Sequence, residues 1–133
     1  MAEVVAANEA GIVTRLSPRT VADTVARLTG ILDAKGAKVF AVIDQAAEAR
    51  QAGLDLRETV LVIFGNPVAG TPVMAAEPLA ALDLPLKILI WDDAGQTMVS
   101  YYPAATLAAR HNLGPDLEQR LVITPLADAL IAD

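Results

Sequence analysis

The sequence predicts an α+β domain in which helices pack on one face of a mixed or mainly antiparallel sheet. Apolar runs of strand-favouring residues alternate with alanine-rich stretches that begin at Ser, Thr, Asp or Pro, as helices do. The alternation fails at a predicted hairpin over residues 87–102, which disfavours a wholly parallel, doubly wound sheet. A length of 133 residues suits one domain, so we expect residues 1–133 to form a single compact sandwich.

The chain opens with a strand, a helix and a second strand. Gly11–Leu16 favours a strand, and Ser17-Pro18 predicts a helix start because serine caps helices and proline fits the first turn. Gly36 should end this helix, whose apolar residues follow spacings of four, three and four: Val21, Val25, Leu28 and Leu32. Lys38–Asp44 carries apolar side chains on both faces, which predicts a central strand covered by the helix on one side and by a partner subunit on the other.

The middle of the chain is organised around a strand and the loop that follows it. Gln45–Gln51 is predicted to form a short helix capped by Asp44. Val60–Phe64 is an apolar run that predicts a buried strand. A loop over Gly65–Gly70 follows, and Thr71-Pro72 repeats the cap-and-proline pattern, so the next helix should begin there.

The last third is predicted to hold a hairpin and two clear helices. Pro103 should open one of these helices, and Gly114-Pro115 should end it. The predicted elements, in order, are a brief helical piece from Pro78, strands at Lys87–Trp91 and Gln96–Tyr102, a helix over 103–113, a short strand at Leu121–Ile123 and a terminal helix capped by Thr124.

Composition and charge exclude several classes of protein. The net charge of −6, without a basic run, disfavours nucleic-acid binding. The absence of cysteine excludes disulfides, thiolate nucleophiles and Cys-ligated metals. The first residues lack a signal-peptide pattern and no apolar stretch is long enough to span a bilayer, so we expect a cytoplasmic protein without membrane insertion. Hydrophobic residues make up 54% of the chain and charged ones 20%, which indicates a homodimer with apolar surface in its interface.

Several phrases together resemble one known family. The phrases IFGNP, GTP and ALDLPLK, the last followed by a tryptophan, are similar to those of the bacterial domain-of-unknown-function family 302, and the resemblance is strongest over residues 40–113. It implies a compact α+β sandwich whose members can pair as homodimers. The family commonly has histidine directly after the Asp of its F-x-x-I-D phrase, where this chain has Gln45. The family has no settled activity, so the resemblance implies no mechanism.

The loop after the buried strand is the main candidate site. Backbone N–H groups and a helix N-terminus at the end of a strand suit a small anion or a polar metabolite. The G-x-x-x-x-G-[ST] pattern lacks the lysine of a P-loop, which argues against a nucleotide triphosphatase. The alternative is that the glycines and the asparagine serve turn geometry alone. The candidate ligand-binding residues are Asp44, Gly65, Asn66, Gly70, Thr71 and His111.

No metal or cofactor is expected. His111 is the only histidine, so a two-histidine metal site within one chain is excluded. A carboxylate site completed by His111, with Asp44, Asp92 or Asp93, stays open as a weaker alternative. Asp83 lies in an apolar phrase and should have a charged partner, for which Lys87 and Arg57 are candidates.

Three functional hypotheses follow. The first is a non-enzymatic homodimeric domain that binds a small ligand or another protein, because no plausible nucleophile or metal triad is present. The second is an enzyme or ligand-modifying domain that uses Asp44, Asn66 and His111, which would have to converge within hydrogen-bonding distance. The third is a sensor whose dimer opens or closes when a ligand binds.

Overall fold

A five-stranded antiparallel sheet forms the centre of the molecule. The computed structural model describes residues 6–133. The spatial order of the strands is β1-β5-β4-β3-β2, and every neighbouring pair is antiparallel. The predicted α+β class is therefore confirmed. The strands are β1 (Val13–Ser17), β2 (Lys38–Asp44), β3 (Thr59–Gly65), β4 (Leu86–Asp93) and β5 (Gln96–Tyr101).

Helices cover one face of this sheet. The helices are α1 (Val21–Ala34), α2 (Gln45–Gln51), α3 (Pro67–Ala76), α4 (Ala104–His111), α5 (Pro115–Gln119) and α6 (Thr124–Ile131), with a 3-10 helix at Pro78–Leu82. α1 packs on the three strands β2, β3 and β4, while α6 packs on β1. Strand residues that face these two helices, such as Val62, Ile88 and Ile90, are fully buried. They form the main apolar core with Leu28 and Leu130.

The opposite face of the sheet carries a continuous set of apolar side chains that are only partly buried, apart from Leu16, which is exposed. Leu61 of β3 lies directly opposite Leu89 of β4, and Trp91 lies opposite Met98 of β5. We call this surface the open face. Its apolar residues are Leu16, Ala41, Ile43, Leu61, Ile63, Leu89, Trp91 and Met98.

Strand β2 is an edge strand, so the prediction that it is central was wrong. The two-sided apolar pattern has another cause. The pairing of β2 with β3 shifts between Val39 and Ala41, so that Phe40 is the extra residue of a bulge. Phe40 and Val42 are both substantially exposed. Apolar residues on both faces of an edge strand mimic the pattern of a central strand.

The starts of two helices differ from the prediction. Ser17 is the last residue of β1, and its hydroxyl is hydrogen-bonded to that of Thr24 at 2.8 Å, so Thr20 caps α1 instead. Asn66 caps α3, and the helix begins at Pro67 rather than after a loop that ends at Gly70. Asparagine followed by proline supplies the cap and the first helical residue five residues earlier than expected.

The tail also departs from the prediction. The predicted strand at Leu121–Ile123 is absent, and Gly114-Pro115 starts the short helix α5 as well as following α4. Leu121 and Ile123 are both buried, whereas Val122 between them is exposed. This alternation resembles that of a strand. The predicted terminal helix is present as α6, but Thr124 is its first residue rather than its cap; Ile123 occupies the cap position and no side chain caps the helix.

A second, smaller core joins the elements that follow β3. Val73 of α3, Ala80 of the 3-10 helix, Leu107 of α4 and Leu121 form this buried cluster, against which Leu86 packs from the sheet. Leu86 is also packed against the main core. The second core therefore holds α3 against the end of β3 and the start of β4, which is where the candidate site lies.

Candidate functional site

A cavity of about 280 Å³ lies beside α3, next to the junction between β3 and β4. Its lining is mainly apolar and comes from elements distant in the sequence. α3 supplies one wall, the segment that enters β4 supplies another, and Phe40 and the α5–α6 connection supply the rest. The lining residues are Phe40, Asn66, Pro67, Ala69, Gly70, Thr71, Met74, Leu84, Pro85, Leu86, Arg120 and Leu121.

Most of the predicted loop residues lie at this cavity. Asn66, Gly70 and Thr71 line it. Gly65 lies beside it, because a Cβ atom there would be 3.6 Å from Pro85 and 3.7 Å from Phe40. The structure therefore brings four of the six predicted site residues together. It presents them on a helix and its cap rather than on an open loop.

The backbone N–H groups at the start of α3 already have partners. The N–H of Val68 donates to the side-chain oxygen of Asn66 at 2.9 Å. The N–H groups of Ala69 and Gly70 both donate to the carbonyl oxygen of Asn66, also at 2.9 Å. A small anion at this helix end would therefore have to displace existing hydrogen bonds.

Asp44 is separated from the other predicted site residues. Asp44 is at one end of β2, and its carboxylate accepts a hydrogen bond from the N–H of Ala47 at 2.9 Å, which confirms it as the cap of α2. Gly65 pairs with Lys38 at the other end of the same strand. Six residues of extended chain span roughly 20 Å at about 3.3 Å per residue. Asp44 and Asn66 therefore do not share a site within one chain.

His111 belongs to a second group of polar residues, which we call the Asp83 cluster: Asp83, Lys87, Arg110 and His111. The Nε2 atom of His111 lies 2.5 Å from one carboxylate oxygen of Asp83, and Nη1 of Arg110 lies 3.0 Å from the other. Lys87 donates to the backbone carbonyls of Asp83 and Pro85, at 3.2 and 2.8 Å. This cluster ties the end of the 3-10 helix to the end of α4.

The side-chain partners of Asp83 are therefore Arg110 and His111. The prediction named Lys87 or Arg57. Lys87 is near but bonds to carbonyl oxygens, whereas Arg57 lies 3.8 Å from Asp93 and over the ring of Trp91. No sequence spacing indicates that α4 returns to the 3-10 helix, and that return creates the pairing.

The Asp83 cluster shifts three pKa values, and the hydrogen bond to Asp83 raises the pKa of Arg110. Burial acts to raise the pKa of Asp83, but the hydrogen bonds from His111 and Arg110 outweigh it and hold that pKa below its usual value. Burial lowers the pKa of Lys87, and the nearby charge of Asp83 only partly opposes this. A smaller cavity of about 130 Å³ adjoins Asp83, Lys87 and Tyr102.

The cavity includes residues that the sequence did not single out, notably Arg120, Met74 and Phe40. The only sequence signal for any of them is the apolar side chain of Phe40 on an otherwise alternating strand. Within residues 6–133, no group of three or more His, Asp or Glu side chains is placed to hold a metal ion. None of the helices in that part of the chain is long and apolar enough to cross a membrane.

Comparisons with known proteins place this geometry in a family. The family model "Domain of unknown function DUF302" matches residues 13–130. The crystal structure of an uncharacterized conserved DUF302 protein from Bacillus stearothermophilus has a TM-score of 0.78 over 90% of this chain and 95% of that chain. The sequence identity is 22%, so this likeness concerns the fold.

Curated relatives share part of their length with this chain. "Fluoride-specific ion channel FluC 1" of Brucella suis biovar 1 is 40% identical over 107 residues, which covers 80% of this chain and 42% of that protein. "Fluoride-specific ion channel FluC 2" of Brucella melitensis biotype 1 is 40% identical over the same length and is covered to 40%. The chain thus spans about two-fifths of the length of these relatives.

Proposed function

Because the chain belongs to the DUF302 family, whose name states no activity, we propose its function from its own residues: it is a homodimeric domain that binds a small, largely apolar ligand and leaves it unchanged. The carrying observation is the cavity of about 280 Å³ beside α3. This volume is near the lower end of the range of small-molecule sites, and apolar walls with a few polar groups are typical of them. Such walls suit an apolar group better than the small anion or polar metabolite that the loop sequence favours.

The absence of catalysis in this proposal follows from the positions of three residues. Asp44 caps α2, Asn66 caps α3 and His111 is hydrogen-bonded to Asp83. Each side chain thus has a structural partner, and the three do not meet at one point. The enzymatic alternative needs them to converge around one substrate.

The open face is the proposed dimer interface. Its interior is apolar, and its polar atoms bond to one another: the indole N–H of Trp91 donates to the hydroxyl of Ser100 at 3.0 Å, and that hydroxyl is 2.8 Å from the hydroxyl of Thr14. Among residues 6–133, the charged side chains of this face lie at its two ends: Lys38 and Lys87 at one, and the Arg57–Asp93 pair at the other. A second copy presents the same uncharged surface, so a twofold interface buries no unpaired charge.

Sedimentation of a central open-face variant tests the dimer. We expect Leu89→Glu to convert the protein to a monomer, because two such carboxylates would be buried near each other in a twofold interface. Leu79→Glu is the control, since Leu79 is 73% exposed and lies on the 3-10 helix. A monomeric wild type, or a dimeric Leu89→Glu variant that remains folded, would contradict this interface.

Methyl NMR separates ligand binding from dimerisation. The chain has three methionines; Met74 lines the cavity and Met98 lies on the open face. We expect 1-octanol to shift the ¹³C-methyl signal of Met74 in saturable fashion and to leave that of Met98 in place. Dilution of the protein, which dissociates the dimer, should shift the methyl signal of Met98 but not that of Met74. If millimolar 1-octanol does not shift the methyl signal of Met74, binding in this cavity is refuted.

Fluoride is a useful comparison ligand because the curated relatives are named as fluoride channels. Fluoride is small and strongly hydrated, and apolar walls do not replace its hydration. We therefore expect sodium fluoride at the same concentration to leave Met74 unshifted. The proposed compartment is the bacterial cytoplasm, and fractionation of cells that produce the tagged chain tests it.

A further inference from the structure

We infer that the ligand of this cavity is an amphipathic monoanion, a carboxylate with a short apolar tail, whose charge is held by Arg120. This inference rests on the proposed ligand-binding function and specifies its ligand class. The supporting observation is that the walls of the cavity are mainly apolar and that Arg120 is the single charged residue among those that line it.

The apolar residues that line the cavity belong to several separate segments of the chain. Met74 of α3 lines this space together with Leu84 and Pro85 of the segment before β4, and Phe40 and Leu121 line the rest of its apolar wall. Leu121 is almost fully buried, whereas Phe40 is 45% exposed and lies towards the rim. An apolar tail placed here would be removed from water, and each buried methylene is favourable.

Arg120 supplies the positive charge. It is exposed at the end of α5 and lines the cavity. Within residues 6–133, the ion pairs of arginine involve Arg15, Arg57 and Arg110, so Arg120 has no carboxylate partner there. A guanidinium in this position is available to a ligand and can bind a carboxylate through two parallel hydrogen bonds.

The surroundings favour one negative charge over two. Asp116 and Glu118 precede Arg120 on α5, and the whole chain has a net charge of −6. Lys87 does not line this cavity, and its ammonium group is bonded to two carbonyl oxygens. One guanidinium balances one carboxylate, whereas a phosphate dianion would face the same acidic surroundings with a charge left over.

The test compares octanoate with 1-octanol on the wild type, Arg120→Gln and Arg50→Gln. Arg50 is the matched control because it is an exposed arginine on α2 that does not line the cavity. Titrations are followed by the Met74 methyl signal. A charge-assisted hydrogen bond at an exposed site corresponds to about a tenfold change in affinity. We expect Arg120→Gln to lower the affinity for octanoate by about tenfold and to leave the affinity for 1-octanol unchanged. We expect Arg50→Gln to change neither affinity.

Each contrary result points to a different failure. If octanoate and 1-octanol bind the wild type equally and Arg120→Gln changes neither, the carboxylate inference is wrong while the cavity function stands. If Arg50→Gln lowers the affinity for octanoate as much as Arg120→Gln does, the effect comes from the overall charge of the protein and the inference is also wrong. If neither ligand shifts the methyl signal of Met74, the proposed function is wrong and the inference, which rests on it, is wrong as well.

Discussion

Replacement of Gly70 by alanine distinguishes the helix seen in the structure from the loop that the sequence predicts. Gly70 is the fourth residue of α3, and it is not among the glycines with positive φ. A Cβ atom there would meet only the terminal methyl of Met74, at 4.0 Å, which is an ordinary van der Waals distance. The methyl group therefore fits without displacing a neighbour.

The expected magnitude follows from helix propensity. Alanine is favoured over glycine inside a helix by about 1 kcal/mol, so Gly70→Ala should raise the free energy of unfolding by about that amount. For a domain of this size the melting temperature should rise by about 4 °C. Urea unfolding followed by circular dichroism, at two protein concentrations to account for dimerisation, measures the change.

Gly30→Ala is the matched control for this experiment. Gly30 is an exposed residue inside α1, and nothing lies within 4 Å of a Cβ atom added there. We expect the same gain of about 1 kcal/mol from helix propensity alone. A loss of stability in Gly70→Ala, together with a gain in Gly30→Ala, would show that residue 70 is not helical and would refute the cavity geometry.

Three further predictions concern the Asp83 cluster and the core. The pKa of Asp83 is lower in the folded chain than its ordinary value of 3.8, so its stabilisation is present above that pH and is lost as pH falls through the folded pKa; Asp83→Asn should flatten the acid limb of a stability–pH curve. The pKa of Lys87 is also lowered, so between the folded pKa and the ordinary value of 10.5 the unfolded chain binds more protons and wild-type stability should rise with pH, a rise that Lys87→Met should remove. Ile90→Ala should cost about 3 kcal/mol in urea unfolding, because Ile90 is fully buried, against less than about 0.5 kcal/mol for Leu79→Ala on the surface; a small loss at Ile90 would contradict the main core.

Local signals predicted many of the individual elements. Asp44 caps α2 as expected, Gly36 has a φ of 71° after α1, and the hairpin turns between β4 and β5 near residues 94 and 95. These features depend on hydrogen bonds and backbone conformations within a few residues, which sequence patterns describe directly. The start of α3 was missed because two cap-and-proline signals, at Asn66 and Thr71, lie five residues apart and the earlier one prevails.

The candidate site was predicted only where it is local. Asn66, Gly70 and Thr71 were expected to lie together, and they share one wall of the cavity. Asp44 was grouped with them, but β2 and β3 are antiparallel and Asp44 lies at the end of β2 opposite to the residue that pairs with Gly65. Arg120 carries no sequence signal, because its position at the cavity depends on how α5 packs against α4.

The sequence by itself determined the α+β class, the family and most of the helix and strand segments, because periodicity, caps and turns are properties of neighbouring residues. Tertiary structure decided the edge position of β2, the partners of Asp83, the walls of the cavity and the partial exposure of one sheet face. Each of these depends on strand order and on packing between segments far apart in the chain. Phe40 shows the difference: its apolar character is evident from the sequence, but only the bulge in β2 places it at the cavity rather than in a core.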